Sequence, residues 1–77
     1  IATICNACAV PAQAGLLRNK RATIYPAPPS IALLEQEGVQ FVDQACITLE
    51  DLKIITAQSP ANAKAFADAI IQLLTLG

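Results

Sequence analysis

The chain has no histidine and no methionine, and only 14% of its residues are charged, for a net charge of −1. Without histidine, no imidazole base can come from these residues. Three cysteines containing a single close pair make a weak zinc site, so no metal and no cofactor is expected. The near-zero net charge gives no electrostatic case for nucleic acid or an anionic membrane as partner. Arg18, Lys20 and Arg21 form the one basic cluster. It reads as a solvated turn after a helix C-terminus, since no glycine-rich loop accompanies it.

Residues 1–17 carry no charge, yet Asn6, Pro11 and Gln13 make the run too polar and too short to span a bilayer. Ala12-Gln13-Ala14 has the look of a signal-cleavage site, but no basic segment precedes it. An odd number of cysteines without a secretory signal fits a reducing, cytoplasmic setting. What is abundant is apolar surface: 55% of 77 residues, more than so short a globule hides easily. That excess, the missing methionine and a start inside an apolar strand pattern lead us to expect part of a larger domain.

Strand and helix patterns alternate along the chain. Ile1–Ile4 reads as a short buried strand and Asn6–Ala14 as a helix capped by Gly15. Arg21–Tyr25 is a second strand, closed by Pro26. Pro26, Pro28 and Pro29 stiffen a loop, after which Ser30 is expected to cap a helix over Ile31–Glu37, ending at Gly38. Val39–Val42 is a third strand, and Ala45–Thr48 with Lys53–Ala57 a hairpin. Ser59 and Pro60 open a final helix whose apolar face is expected to hold Ala63, Phe66, Ala67, Ile70, Ile71 and Leu74. This order predicts an α/β fold with a mainly parallel, doubly wound sheet. Ligands bind outside the carboxyl ends of such strands, where Cys5, Tyr25-Pro26 and Ala57-Gln58-Ser59 would lie.

Cys5 stands between the first strand and the first helix. A nucleophile-type residue on such a turn is lifted out of the backbone, and the helix start favours its thiolate. The bland alternative is a small buried thiol at a strand end. Cys8 turns the stretch into C-x-x-C, the spacing of dithiol oxidoreductases, but too many elements follow for a thioredoxin. Cys8 is therefore also a candidate resolving thiol for an oxidised Cys5. Cys46, inside a hairpin strand, reads as core packing. Tyr25 reads equally as an aromatic packed at a sheet end or as a pocket residue.

The strings I-A-T-I-C-N-A-C-A-V-P-A-Q-A-G-L-L, K-R-A-T-I-Y-P, V-Q-F-V-D and I-I-T-A-Q-S-P-A-N-A-K-A-F-A-D-A-I-I-Q-L-L together resemble the C-terminal part of the ThiJ/PfpI family, the superfamily of the parkinsonism-associated protein deglycase. The resemblance implies a flavodoxin-like sandwich, usually a homodimer, with residues 1–77 as its C-terminal portion and the N-terminal strands supplied by the other half of the domain. Cys5 falls on the elbow cysteine of that family. It implies a glyoxalase- or deglycase-like hydrolase or lyase acting on small reactive carbonyls or on protein carbonyl adducts. Other members use this cysteine as an oxidative-stress sensor or belong to a chaperone-like, non-catalytic class. The backbone amides of Asn6 and Ala7 would line the oxyanion pocket, with Tyr25 and Gln58 beside it. Several positions depart from the pattern, Pro11 within the first helix among them. Tyr25 stands where many hydrolytic members have histidine, Gln58-Ser59 replaces a frequent Arg-Gly, and Cys8 stands where proline or a small residue is common. The family's acid, which bonds the elbow cysteine, belongs to an early strand absent from this sequence, and none of Glu35, Glu37 or Glu50 takes that role.

Overall fold

In the computed structural model, which describes residues 1–76, strands β1 (Ala2–Ile4), β5 (Ile54–Ala57) and β4 (Cys46–Leu49) form one sheet in that spatial order. β1 runs parallel to β5, with Thr3 opposite Thr56 and Ile4 opposite Ala57; β4 and β5 form the antiparallel hairpin. All four residues of β5 are buried, as a central strand covered on both faces requires. Among the described residues β1 pairs with β5 alone, so its other edge is open. A second, two-stranded parallel sheet joins β2 (Arg21–Ala22) to β3 (Gln40–Phe41).

The predicted second strand is thus shorter in its ladder than Arg21–Tyr25. Beyond Ala22 the chain leaves β3 and turns to the first sheet. The Thr23 amide donates to Thr56 Oγ1 at 3.0 Å and the Tyr25 amide to the Cys5 carbonyl at 3.3 Å. These bonds tie the two sheets and carry Tyr25 to the end of β1.

The first helix departs from prediction as well. Cys5–Cys8 form a 3-10 turn, and α1 covers Ala9–Gln13. Pro11 has no N–H to return to the Ala7 carbonyl, which breaks a continuous α-ladder here, while its position in the first turn of α1 is one proline tolerates. Gly15 closes α1 with φ +82, the left-handed conformation that glycine adopts freely. Helix α2 spans Pro28–Gln36 with Ala27 as its N-cap, so Ser30 lies inside the helix instead of capping it. The prolines are the reason: fixed φ and a dispensable N–H let them start the helix at Pro28, three residues before the expected Ile31.

A 3-10 turn over Pro60–Asn62 leads into α3 (Ala63–Leu76). α3 packs against β1, β4 and β5, while α1 and α2 pack on each other and α2 on β3. The core gathers Cys8, Leu17, Ile24, Leu34, Val39 and Ile54. The inward face of α3 is Phe66, Ala69, Ile70 and Leu73, a correction to the predicted face. Ala63 and Ala67 are exposed, as are Ile71 and Leu74 at 60% and 76%. The apolar stripe of α3 is wider than the face it buries against the sheet. With Ile1, Ile70 and Leu73, Leu74 borders an open apolar groove of about 250 Å³ beside β1.

Candidate functional site around Cys5

Cys5 sits on the step from β1 into the 3-10 turn with φ +60. A left-handed backbone is uncommon for a residue bearing a side chain, costs about 1–3 kcal/mol, and persists only where its surroundings hold it. Two contacts do so here. The Cys5 carbonyl accepts from the Tyr25 amide, and Asn6 Oδ1 accepts from Ser30 Oγ at 2.7 Å. The first pins the elbow to the end of the second strand, the second to the first turn of α2. The thiol is half-buried.

The three loops expected at the carboxyl edge of the strands do meet. Ile4 and Ala57 are paired, which places Cys5 next to Gln58 across adjacent strands about 4.8 Å apart. Tyr25 is bonded to Cys5 through the backbone and is itself 44% exposed. Gln58 is held elsewhere by its side chain: its amide Nε2 donates to Asp43 Oδ1 at 2.8 Å, and its backbone N–H to the Ala45 carbonyl at 3.1 Å. Asn6 and Ala7 occupy the first turn, whose N–H groups have no intrahelical acceptor, and both are exposed. Beside them Asn6, Ala9, Ile24, Pro29, Ser30 and Leu33 line a shallow groove of about 310 Å³.

Against this geometry, the comparisons with known proteins are decisive. The model of the DJ-1/PfpI family matches residues 1–73. The chain belongs to the DJ-1/PfpI family. An uncharacterized protein of Methanocaldococcus jannaschii is 35% identical over 74 residues, which is 96% of this chain and 35% of that protein. A ThiJ/PfpI domain protein from Brachyspira murdochii superposes with a TM-score of 0.86 at 20% identity, over 99% of this chain and 42% of its own. A mutant of DJ-1 from Schizosaccharomyces pombe superposes with a TM-score of 0.79 at 29% identity, over 94% of this chain and 35% of its own. The fold is therefore the flavodoxin-like α/β fold of this family. The chain spans about a third of the length of the curated relative it matches.

Within this DJ-1/PfpI frame the other two thiols stand apart from Cys5. Cys8 is 0% exposed, and burial pushes its pKa from an ordinary 9.0 up to about 11. The Thr3 hydroxyl nearby favours the thiolate slightly, although Thr3 Oγ1 makes no hydrogen bond of good geometry. At neutral pH Cys8 is a neutral core thiol, so acting as a resolving or second redox thiol requires the first turn to open. Cys46, half-buried in β4, is also raised by burial. Among the described residues no three His, Cys, Asp or Glu side chains gather as metal ligands, and no helix is long and apolar enough to cross a membrane.

Two residues at the site carry no sequence motif. Ser30 resembles a helix cap, and its bond to Asn6 depends on α2 starting at Pro28. Asp43 is signalled weakly, by following a strand that ends on the same edge as Cys5.

The position of Cys8 gives a pH prediction. Its folded pKa lies above its unfolded value, so the unfolded chain loses its proton first as pH rises. The stabilisation is intact below pH 9 and is lost as pH climbs towards about 11. A shift of that size corresponds to roughly 2–3 kcal/mol. Urea denaturation of the full-length protein from pH 8 to pH 11 is expected to show a loss of this order beyond that of Cys8→Ala. Parallel pH profiles for the two proteins would refute it.

Proposed function

We propose that the full-length protein is a cysteine-dependent enzyme of the glyoxalase or deglycase type, acting on small reactive carbonyls or on carbonyl adducts of proteins. The observation that carries this reading is the left-handed Cys5 at the carboxyl end of β1, in a family where the elbow thiol is the reactive group. The Cys5 thiolate adds to the aldehyde carbon, forming a C–S bond. The carbonyl π electrons move to oxygen, and the resulting alkoxide is steadied by the N–H groups of Asn6 and Ala7 before it takes a proton. Neither histidine nor an assignable acid partner is present in these residues, so proton transfer falls to the rest of the domain. That remainder is the first partner in this proposal: the open edge of β1 and the bare apolar groove beside it are suited to receive it. A homodimer in the cytoplasm completes the reading. The test is consumption of a 2-oxoaldehyde by the full-length protein and its loss in Cys5→Ser.

A second reading is favoured by one observation: Cys5 is half-buried on a left-handed turn, while Cys8 is sealed in the core. In a redox-sensing or chaperone-like protein, Cys5 would pass through sulfenic to sulfinic acid. Peroxide is then expected to add oxygen atoms at Cys5, read by intact mass and peptide mapping. Loss of two hydrogens dependent on Cys8 would instead support a dithiol oxidoreductase.

A further inference from the structure

The charged side chains of this chain are divided between the two edges of the sheets. Arg18, Lys20 and Arg21 precede or open β2, and Lys53 precedes β5, so these cations lie at the amino edges of strands that run towards the Cys5 site. Glu50 and Asp51 in the hairpin turn lie at that same far edge. Glu35 and Glu37 lie at the far end of α2. Lys64, near the start of α3, is engaged by Asp68 at 2.9 Å and is solvated. Among the described residues, Asp43 is left as the charged side chain hydrogen-bonded to a residue at the carboxyl edge beside Cys5. It follows β3, and the Gln58 amide holds its carboxylate while Gln58 itself lies beside Cys5. A neutral amide leaves the negative charge of Asp43 uncompensated, which a cation at position 58 would not.

We propose that Asp43 is a specificity-determining residue: tethered by Gln58, it sets a fixed negative charge on the rim of the Cys5 site, which admits uncharged carbonyl electrophiles and disfavours those bearing a carboxylate. The inference rests on Cys5 as the reacting thiol and names the substrate class within that reading: neutral aldehydes in place of 2-oxo acids. Strand spacing and the reach of a glutamine side chain put the carboxylate about 10 Å from the thiol. That is about one Debye length at 0.1 M salt, so the charge is felt at low ionic strength and fades as salt is added. A unit charge at this range, in a medium between protein and water, discriminates roughly two- to tenfold.

The experiment compares alkylation of Cys5 by neutral iodoacetamide and anionic iodoacetate in the full-length protein at low salt, with Cys5 followed by peptide mapping. The iodoacetamide-to-iodoacetate rate ratio is expected to exceed that of a free cysteine by roughly two- to tenfold. It should fall towards the free-cysteine ratio in Asp43→Asn and in high salt, and stay high in Asp43→Glu. Thermal denaturation of the variants checks that they are folded. An unchanged ratio in Asp43→Asn, or a wild-type ratio equal to that of free cysteine, overturns the role of Asp43 and leaves Cys5 chemistry standing. Failure of Cys5 to react with either reagent overturns both.

Discussion

Cys5→Ser is expected to lower kcat/KM for a 2-oxoaldehyde by a factor of ~10³ or more, equivalent to about 4 kcal/mol of transition-state stabilisation. The factor is large because the substitution removes the bond-forming atom and leaves the rest of the elbow in place. A serine hydroxyl is similar in size and can adopt the same backbone, but it is almost wholly protonated near neutral pH and has no histidine from these residues to activate it. The Cys5 carbonyl and the Asn6 side chain keep their partners in the variant, so folding should be preserved. Circular dichroism and thermal denaturation would verify that, while substrate consumption reports the chemistry. A variant that is folded and still turns over substrate at more than a tenth of the wild-type rate would sink the nucleophile assignment.

Ile24→Ala is expected to destabilise the full-length protein by about 2–5 kcal/mol, the range for deleting a large aliphatic side chain from a packed core. Ile24 is 1% exposed and belongs to the cluster that includes Leu17, Leu34 and Ile54. It also lies between the Thr23 and Tyr25 amides, which cross to Thr56 and to Cys5. The cavity therefore opens beneath the strand segment that holds the elbow, and activity should fall more than the fraction folded predicts. Ile24→Val, which keeps most of the volume, should cost only ~0.5–1.5 kcal/mol. Chemical denaturation of both variants, with activity measured where each is fully folded, separates the two effects. Equal stability of Ile24→Ala and wild type would show that this residue is not part of the core.

Much of this arrangement is legible in the sequence, because period and punctuation point the same way. The β-branched runs at Ile1–Ile4 and Ile54–Thr56 announce two strands that pair in parallel, although only β5 is buried throughout and β1 is buried at Thr3 alone, and Gly15 and Gly38 stop their helices with φ of +82 and +78. The placing of Cys5 beside the Gln58 loop follows from strand direction, since β1 and β5 run parallel. What is not legible depends on contacts between distant segments. Tyr25 leaves its ladder because its amide is claimed by Cys5, a partner that no local pattern names. Ser30 looks like a cap until the prolines move the helix start. The broad apolar stripe of α3 shows which residues are apolar, but not that, among those described, Phe66, Ala69, Ile70 and Leu73 are the ones withdrawn from solvent. Gln58 gives no sign that Asp43 will hold its amide.

The parallel pairing of β1 with β5 has a consequence for when the site comes into being. These strands, Ala2–Ile4 and Ile54–Ala57, lie far apart in sequence, whereas β4 and β5 are joined by a tight turn. Closing the long loop costs entropy that the local hairpin does not, so the hairpin should form early and β1 dock late. The left-handed turn at Cys5 is held by Tyr25 and Ser30, themselves distant in sequence, so it too waits on non-local contacts. Cys5 should therefore gain its native reactivity in the last stage of folding, and its labelling rate during refolding would time the completion of the domain.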